Sequence, residues 1–465
     1  MAGTETALHH ADDMLEKSLE RLFAFLRIPS VSTQPAHAAD CRAAADWLVQ
    51  DLTSLGFKAE ARTTPGHPIV LAHRPGPDGA PHVLFYGHYD VQPVDPISLW
   101  HSAPFEPVLK TREDGTKEIV ARGAADDKGQ VMTFIEACRA LIAADGALPV
   151  SVTMVIEGEE ESGGENLPPF LETYRDELKA DVALICDTGM LAPDRPAITT
   201  MLRGMCAEEV TIRAAARDLH SGMYGNAAAN PLQILCDVIA GLRDPQTGRV
   251  TLPGFYDGVP EISREIRDLW KKTGPSDAEM LGGVGLSHPA GEQGYSALEQ
   301  TWARPSCEIN GITGGYTEEG FKTVIPARAT AKISFRLVGE QDPEAIRTAL
   351  RSFITDRIPA DCTAEFHAHG GSRASTVPGT LPALQLALAA LRDEWNTEAA
   401  VIGCGGSIPV VGDLSRILGL DSLLVGFGLD DDRIHSPDEK YDLTSFHKGI
   451  RSWVRILAAL GKGSA

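Results

Sequence analysis

Long apolar runs and a signal-like start are both missing from this sequence. A membrane-spanning helix needs a stretch of about 18 apolar residues, and none occurs in the 465-residue chain. The opening segment, MAGTETALHHADDMLEK, lacks the basic flank and apolar core of a secretory signal. We therefore expect neither membrane association nor secretion.

Paired cysteines and an excess of basic residues are also missing. The eight cysteines are scattered without a CxxC pair, so we expect no disulfide framework and favour a reducing, cytoplasmic location. The formal net charge is −22, and a chain of this charge repels phosphate backbones, so nucleic-acid binding is not expected. Acidity also keeps proteins soluble, and this ordinary explanation accounts for most of the charge.

What is present indicates a globular protein of two domains. The apolar fraction is 43%, and the chain is too long for one ordinary core. Short apolar runs alternate with helical patterns in the outer parts of the chain, which predicts an α/β domain with a mostly parallel sheet over residues 1–202 and 384–465. The different texture of residues 203–383 predicts an inserted α+β domain of ferredoxin-like type.

Individual elements follow from the hydrophobic periodicity. In the outer domain, the pattern predicts helices over residues 11–27, 41–56 and 131–144, and strands over 69–72, 83–86, 152–156 and 182–185. In the inserted domain, it predicts strands over 208–214 and 329–337 and helices over 231–242 and 343–353. Residues 243–300 are rich in Gly, Pro and charge, and only 262–271 favours a helix there.

Five short segments carry the residues with chemical potential. They are GHYD with His88 and Asp90, RGAADDKG with Asp126, EGEEESGG with Glu160 and Glu161, CDTG with Asp187, and DDDRIHSPDE with His435. Each has an ordinary alternative, such as a helix cap, a solvated acidic loop or a surface histidine. We expect four parallel-type strands to end in His, Asp or Glu, and such strand ends form ligand sites in open α/β sheets. The triplet Asp430–Asp432 is expected to be a solvated loop, with attraction of a cationic group as the alternative.

This set of side chains suits a pair of metal ions. Two histidines and three carboxylates, one of them shared, would make two sites with nitrogen and oxygen ligands and no thiolate. Such ligands favour a co-catalytic zinc pair, with manganese or cobalt as alternatives. Adjacent glutamates also allow one to bind metal while its neighbour moves protons.

The same segments resemble a known family. GHYDVQP, RGAADDKG, EGEEESGG, CDTG and GLDDDRIHSPDE are similar, in order and over nearly the whole chain, to the dinuclear-zinc metallopeptidases that include aminoacylase, carboxypeptidase G, succinyl-diaminopimelate desuccinylase and carnosinase. DLHSGMYG, KTVIPA, SFRLV and GGSIPV resemble the carnosinase-like cytosolic dipeptidase branch.

The resemblance implies a specific ligand set. His88, Asp126 and Asp187 would hold one zinc ion, and Asp126, Glu161 and His435 the other, with Asp126 bridging. Manganese or cobalt would fit the same ligands.

The resemblance also implies the residues that act beside the metals. Glu160 would be the general base, with Glu159 adding a third glutamate in front, and Asp90 would orient His88. The peptide bond between Asp126 and Asp127 would be cis.

For the inserted domain, the resemblance implies a lid and a dimerisation role. His220 would steady the oxyanion in the active site of a partner subunit, which requires a homodimer. Thr323, Arg336 and Ser407 would bind the ends of the substrate, with the Arg336 fork on a free carboxylate.

Together these points predict a metal-dependent hydrolase. It would cleave the amide bond of dipeptides or similar small substrates with a free C-terminal carboxylate, by a metal-bridged hydroxide and a glutamate base. An N-acyl amino acid deacylase would use the same ligands and is the alternative. A non-catalytic binding module would have no need of Glu160 beside an intact ligand set.

Overall fold

The computed structural model describes residues 2–406 and 408–463. They form two compact units, the first drawn from residues 1–200, 377–402 and 413–465, the second from 201–376 and 403–412. Among the described residues, no helix combines the length and the apolar character that crossing a bilayer would need.

The helices have the following bounds. They are Ala2–Asp13 (α1), Leu15–Leu26 (α2), Ala38–Ser54 (α3), Lys128–Asp145 (α4), Leu167–Thr173 (α5), Ser221–Tyr224 (α6), Pro231–Gly241 (α7), Arg264–Thr273 (α8), Asp277–Gly282 (α9), Ala297–Trp302 (α10), Pro343–Thr355 (α11), Pro382–Trp395 (α12), Pro409–Asp413 (α13) and Leu443–Lys462 (α14).

The strands are Lys58–Arg62 (β1), Ile69–Arg74 (β2), His82–His88 (β3), Val108–Thr111 (β4), Lys117–Val120 (β5), Ser151–Glu157 (β6), Val182–Ile185 (β7), Ala197–Leu202 (β8), Gly204–Arg213 (β9), Leu219–His220 (β10), Ser306–Gly314 (β11), Val324–Ile325 (β12), Arg328–Leu337 (β13), Thr363–Ser372 (β14), Ser375–Thr376 (β15), Ala400–Cys404 (β16), Ser422–Leu424 (β17) and Lys440–Asp442 (β18).

The main sheet of the first unit is parallel at its centre and antiparallel at its edges. Its strands lie in the order β1-β2-β6-β3-β7-β17-β8. The central strands β6, β3, β7 and β17 pair in parallel, whereas β1, β2 and β8 pair in antiparallel fashion. Near-continuous apolar runs build the central strands because both faces of a parallel sheet are covered. The predicted α/β class is confirmed.

Helices α1, α4 and α14 pack against one another and cover the sheet. The ring of Phe134 on α4 stacks on Phe85 of β3 at a centroid distance of 3.9 Å, and the Trp453 ring of α14 meets both edge-on. Helix α4 stops at Gly146, where φ is +72° and the N–H bonds back to Ile142 O. This packing holds α4 against the sheet, and the helix begins at Lys128, two residues after the candidate ligand Asp126.

The second unit contains a four-stranded antiparallel sheet in the order β11-β13-β9-β14. Strand β9 alternates between buried and half-buried residues, as a strand with one covered face should. Helices α7 and α11 share one apolar core with the sheet. The order β9-α7-β11-β13-α11-β14 is the ferredoxin-like arrangement that the sequence predicts.

Some elements differ from the sequence-based prediction. The helix predicted over residues 11–27 is interrupted at Met14, where φ is −102° and ψ is 7°. The segment 243–300 holds three helices rather than one, and α9 and α10 each begin with a Ser-x-x-Glu capping box, at Ser276 and Ser296. A small sheet, β18-β5-β4, has strands of three or four residues and was not predicted.

Candidate metal centre

Two of the predicted ligands lie at the carboxyl ends of neighbouring strands. Strand β3 ends at His88, and Asp187 follows β7 closely. The two strands are parallel, with Tyr86 opposite Ile185, so their ends reach the same edge of the sheet. As a result, His88 Nε2 lies 4.0 Å from Asp187 Oδ2.

Asp126 reaches the same edge from a loop. Three parallel strands, β3, β6 and β7, end in or beside His, Asp or Glu, but Asp126 lies between β5 and α4. The expectation of four such strands is therefore wrong by one, since Asp126 instead precedes α4 and the strand before it, β5, belongs to the separate small sheet. The peptide bond between Asp126 and Asp127 is cis, and Asp127 Oδ2 accepts a hydrogen bond of 3.0 Å from His88 N.

Of the three consecutive glutamates after β6, Glu159 and Glu161 have different side-chain partners. Glu160 and Glu161 begin a single 3₁₀ turn, and Glu161 Oε2 accepts from Gln92 Nε2 at 2.7 Å. Glu159 instead accepts from Asn166 Nδ2 at 2.7 Å. Glu161 Oε2 lies 3.3 Å from His435 Nε2, so this carboxylate reaches the candidate ligands, and Glu160 precedes it in the chain.

His435 lies in the loop between β17 and β18, with a φ of +61°. This left-handed conformation is uncommon for a residue other than glycine, and the loop around it is firmly held. Asp432 is fully buried, pairs with Lys440 Nζ and accepts from Leu429 N at 2.7 Å. The expectation that Asp430–Asp432 is solvated is therefore wrong for Asp432, which supports the histidine loop.

The five predicted ligands form two groups that share Asp126. His88, Asp126 and Asp187 make one group, and Asp126, Glu161 and His435 the other, with the ligand atoms of each group within 4.8 Å of one another. Asp126 Oδ1 lies 3.1 Å from His88 Nε2, and Oδ2 lies 2.9 Å from His435 Nε2. One carboxylate thus presents one oxygen to each group, as a bridging ligand does.

Asp90 sits behind His88 and is fully buried. His88 Nδ1 lies 3.1 Å from Asp90 O and 3.5 Å from Asp90 Oδ1. The other carboxylate oxygen accepts from Ser32 Oγ at 2.6 Å and from Glu161 N at 3.0 Å. These contacts fix the ring so that Nε2 faces the ligand group, which is the arrangement of an oriented metal-binding histidine.

The pKa shifts of the candidate site residues reflect several buried carboxylates that lie close together. Burial, together with the charge of Asp126, raises the pKa of Asp187 to about 7, and burial raises that of Glu160. Hydrogen bonds with Asp126 and Glu161 raise the pKa of His435 to about 10. Burial lowers the pKa of His88, but its contacts with Asp126 and Asp90 outweigh this and hold it well above the usual value. Both histidine shifts arise because the neighbouring buried carboxylates stabilise positive charge at this site.

Unpaired buried atoms indicate that these residues fit metal ions. Within the described part of the chain, Glu161 Oε1 is buried without a hydrogen-bond partner, and His88 Nε2 is buried with only its ion-pair contacts to Asp126 and Asp187. Buried polar atoms in folded proteins are normally satisfied. Imidazole and carboxylate ligands of this kind are those that zinc accepts in open catalytic sites, so the donor set matches the two ions that the sequence implies.

Three further predicted site residues, described next, belong to the second unit. His220 ends β10 and is exposed, and its Nδ1 accepts from Gly222 N at 3.0 Å. Thr323 O accepts from Ser221 N at 3.0 Å, because β10 pairs with β12. Arg336 is half-buried on β13, opposite Met205. Ser407 lies outside the described residues, and the roles of these four residues stay predictions.

Comparison with known proteins identifies the family. Residues 84–459 match the model of peptidase family M20/M25/M40. The chain belongs to this family. It is 30% identical to the Cys-Gly metallodipeptidase DUG1 of Candida albicans, over 97% of this chain and 96% of that one.

Solved structures agree with this assignment. Human carnosine dipeptidase 1 superposes with a TM-score of 0.80 at 26% identity, over 99% of each chain. The M20 metallo-carboxypeptidase Sso-CP2 of Sulfolobus solfataricus gives 0.81 at 31% identity, over 96% of this chain and 99% of that one. The predicted family and the predicted enzyme class, a metallopeptidase, are confirmed.

Two contacts of this metallopeptidase, one half-buried and one buried, were not predicted from its sequence. Gln92 binds the Glu161 carboxylate, and Glu439 accepts from the backbone N–H of Asp126 at 3.0 Å. Both residues lie inside motifs that also carry candidate ligands, GHYDVQP and DDDRIHSPDE. Motif membership was the available signal, but a glutamine or glutamate in a loop is most often exposed.

Proposed function

We propose that this metallopeptidase hydrolyses the amide bond of dipeptides or similar small substrates that carry a free C-terminal carboxylate. The observation that carries the proposal is the pair of ligand groups joined through Asp126, with Glu160 next to the ligand Glu161. The names of its relatives, a Cys-Gly metallodipeptidase, a carnosine dipeptidase and a metallo-carboxypeptidase, support the choice of substrate.

We propose zinc as the metal, with His88, Asp126 and Asp187 holding one ion and Asp126, Glu161 and His435 the other. Manganese and cobalt accept the same nitrogen and oxygen ligands and remain alternatives. When bound, two such ions would polarise the amide carbonyl and lower the pKa of the attacking water.

The protein's own residues would then move the protons. Glu160 would take a proton from the attacking water and later deliver it to the leaving amine, since a carboxylate with a raised pKa serves both steps. Burial raises the pKa of Glu160, and the nearby charges of Glu161 and Asp126 raise it further. Asp90, through His88, would keep the first ligand group in place.

Arg336, Thr323 and Ser407 would hold the ends of the substrate, as the family resemblance implies. The guanidinium fork of Arg336 matches the two oxygens of a free carboxylate. His220 would stabilise the oxyanion in the active site of a partner subunit. The homodimer and the cytoplasmic location likewise stay predictions.

A substrate panel tests the proposed activity. The metal-loaded enzyme would be assayed with dipeptides, the same dipeptides as C-terminal amides, and N-acyl amino acids. We expect turnover of dipeptides and a large loss of kcat/KM for the amides, because the carboxylate partner would be missing. Preferential turnover of N-acyl amino acids would instead make the enzyme a deacylase, and inactivity on the whole panel would contradict the proposal.

Mixing two inactive variants tests the predicted dimer. Glu160→Gln and His220→Ala proteins would be combined and allowed to exchange subunits. A mixed dimer would have one site with native Glu160 and native His220, so activity should rise well above that of either parent. No recovery after demonstrated subunit exchange would mean that His220 does not act across subunits.

A further inference from the structure

Glu439 is a fully buried carboxylate next to the shared ligand. Its Oε1 accepts from Ala125 N at 2.9 Å and Asp126 N at 3.0 Å. Its Oε2 accepts from Gly123 N at 2.9 Å and Arg122 Nη1 at 2.8 Å. Both oxygens are thus occupied by donors of a single segment, residues 122–126, which ends at the candidate bridging ligand.

Arg122 extends these contacts to a third part of the chain. It is 1% exposed, and its Nη2 donates to Pro93 O at 3.0 Å. Its guanidinium carbon also lies 5.4 Å from the centre of the Trp100 ring. Residues 93–100 follow shortly after His88 and Asp90, so Arg122 links that segment to the Asp126 loop.

The small antiparallel sheet explains why Glu439 lies at this point. Lys440 of β18 pairs with Val120 of β5, and Ala121 N donates to Glu439 O at 3.1 Å. The pairing sets the segment after His435 alongside the segment before Asp126. The ligand segments of both groups are therefore held together at Glu439.

We infer that Glu439, paired with Arg122, is a positioning residue that fixes Asp126 between the two metal ions. The inference rests on the metal centre proposed above. A bridging ligand must keep both oxygens in place, and three neighbouring backbone N–H groups held by one carboxylate leave the Asp126 loop little freedom. Outer contacts of this kind typically change metal affinity or activity about 10–100-fold when removed.

The Glu439→Gln variant tests the inference. Glutamine has one oxygen and one NH₂ group. Its NH₂ group would therefore face one of the two pairs of N–H donors that the carboxylate now accepts from. We expect the apo variant to bind zinc about 10–100-fold more weakly than wild type, measured by calorimetric titration against a competing chelator. At saturating zinc, kcat should fall more than KM rises, because substrate contacts are not altered.

Glu394→Gln is the matched control. Glu394 is also a buried glutamate of the first unit, and Arg451 and Arg455 contact it at 2.6 and 2.8 Å. Removing its charge perturbs a similar ion pair away from the candidate ligands, so zinc affinity should stay at the wild-type value. Equal loss of zinc affinity in both variants would overturn the inference, since it would then reflect general destabilisation.

Glu439→Asp is the second test variant, to be used if circular dichroism shows that Glu439→Gln does not fold. The aspartate retains the charge for Arg122 but is one methylene too short to serve both donor pairs. Zinc binding weaker than wild type in a folded Glu439→Asp protein supports the inference, and unchanged binding overturns it. Failure of the wild-type protein to bind two ions would instead contradict the proposed function.

Discussion

Buried carboxylates occur in this protein in two different settings. Four glutamates that are at most 6% exposed each contact two arginines, and these are Glu136, Glu208, Glu292 and Glu394. In the described residues of the candidate metal centre, by contrast, the ion-pair partners of Asp126, Glu161 and Asp187 are histidines. The first setting carries its own countercharge, whereas the second lacks permanent positive charge.

The presence or absence of arginine partners distinguishes a structural buried carboxylate from a functional one in this protein. Burying a charge without a partner is costly, so a cluster that retains such charges needs a cation from outside the chain. Glu439 also has an arginine as countercharge, Arg122, although it has one arginine rather than two and lies beside the second setting. This position is what makes it a support for the site rather than a ligand.

The distinction between the two settings would fail most clearly if a predicted metal ligand could be removed without loss of metal. We expect His88→Ala to lose metal and activity together, because His88 Nε2 faces both Asp126 and Asp187. Elemental analysis of the purified protein and a dipeptidase assay would measure this. The control is His447→Ala, whose ring pairs with Asp12, and a fully metallated His88→Ala protein would contradict the ligand assignment.

Chemistry can also be separated from metal binding within the same acidic cluster. Glu160→Gln keeps the size of the side chain but removes the base, so we expect kcat to fall by about 10²–10⁴-fold at unchanged metal content. Glu159→Gln is the matched neighbour, because Glu159 is held by Asn166. An active Glu160→Gln enzyme beside an inactive Glu159→Gln enzyme would assign the base to Glu159 instead.

A smaller effect is expected where a neutral side chain supports a ligand. Gln92 donates to Glu161 Oε2 at 2.7 Å, so Gln92→Leu should weaken zinc binding by about 10-fold, near the lower end of the range for outer contacts. Chelator competition would measure the change. Thr64→Val removes a polar contact of the first unit, Thr64 Oγ1 to His67 O, and serves as control. Zinc affinity equal to wild type in Gln92→Leu would leave Gln92 without a supporting role.

The sequence predicted the parts of the site that depend on local pattern. Short apolar runs end at His88 and precede Asp187, and period alone places such residues at strand ends. The position of the loop that carries Asp126 could not be predicted in this way. The strands that set it, β5 and β18, are too short to show a period, and they pair across a long stretch of chain. The same pairing brings Glu439 to the Asp126 loop.

Helix boundaries were missed for a different reason. The break at Met14 has no glycine or proline to announce it. For α9 and α10, the capping signals at Ser276 and Ser296 are present in the sequence, but each helix has only six residues. A segment of six residues is too short for a helical period to be recognised in a polar, glycine-rich stretch of sequence.

The smallest effect on catalysis is expected at a carboxylate of the first setting. Glu394 joins α12 to α14 through Arg451 and Arg455, and its side chain is 3% exposed. Breaking a buried ion pair costs about 3 kcal/mol at the lower end of the usual range, and the arginines are partly exposed, so that end applies. Glu394→Gln should therefore lower the urea midpoint of unfolding while metal content and kcat per folded molecule stay unchanged. Loss of metal in Glu394→Gln would mean that the two settings are coupled, and the distinction between structural and functional carboxylates would no longer hold.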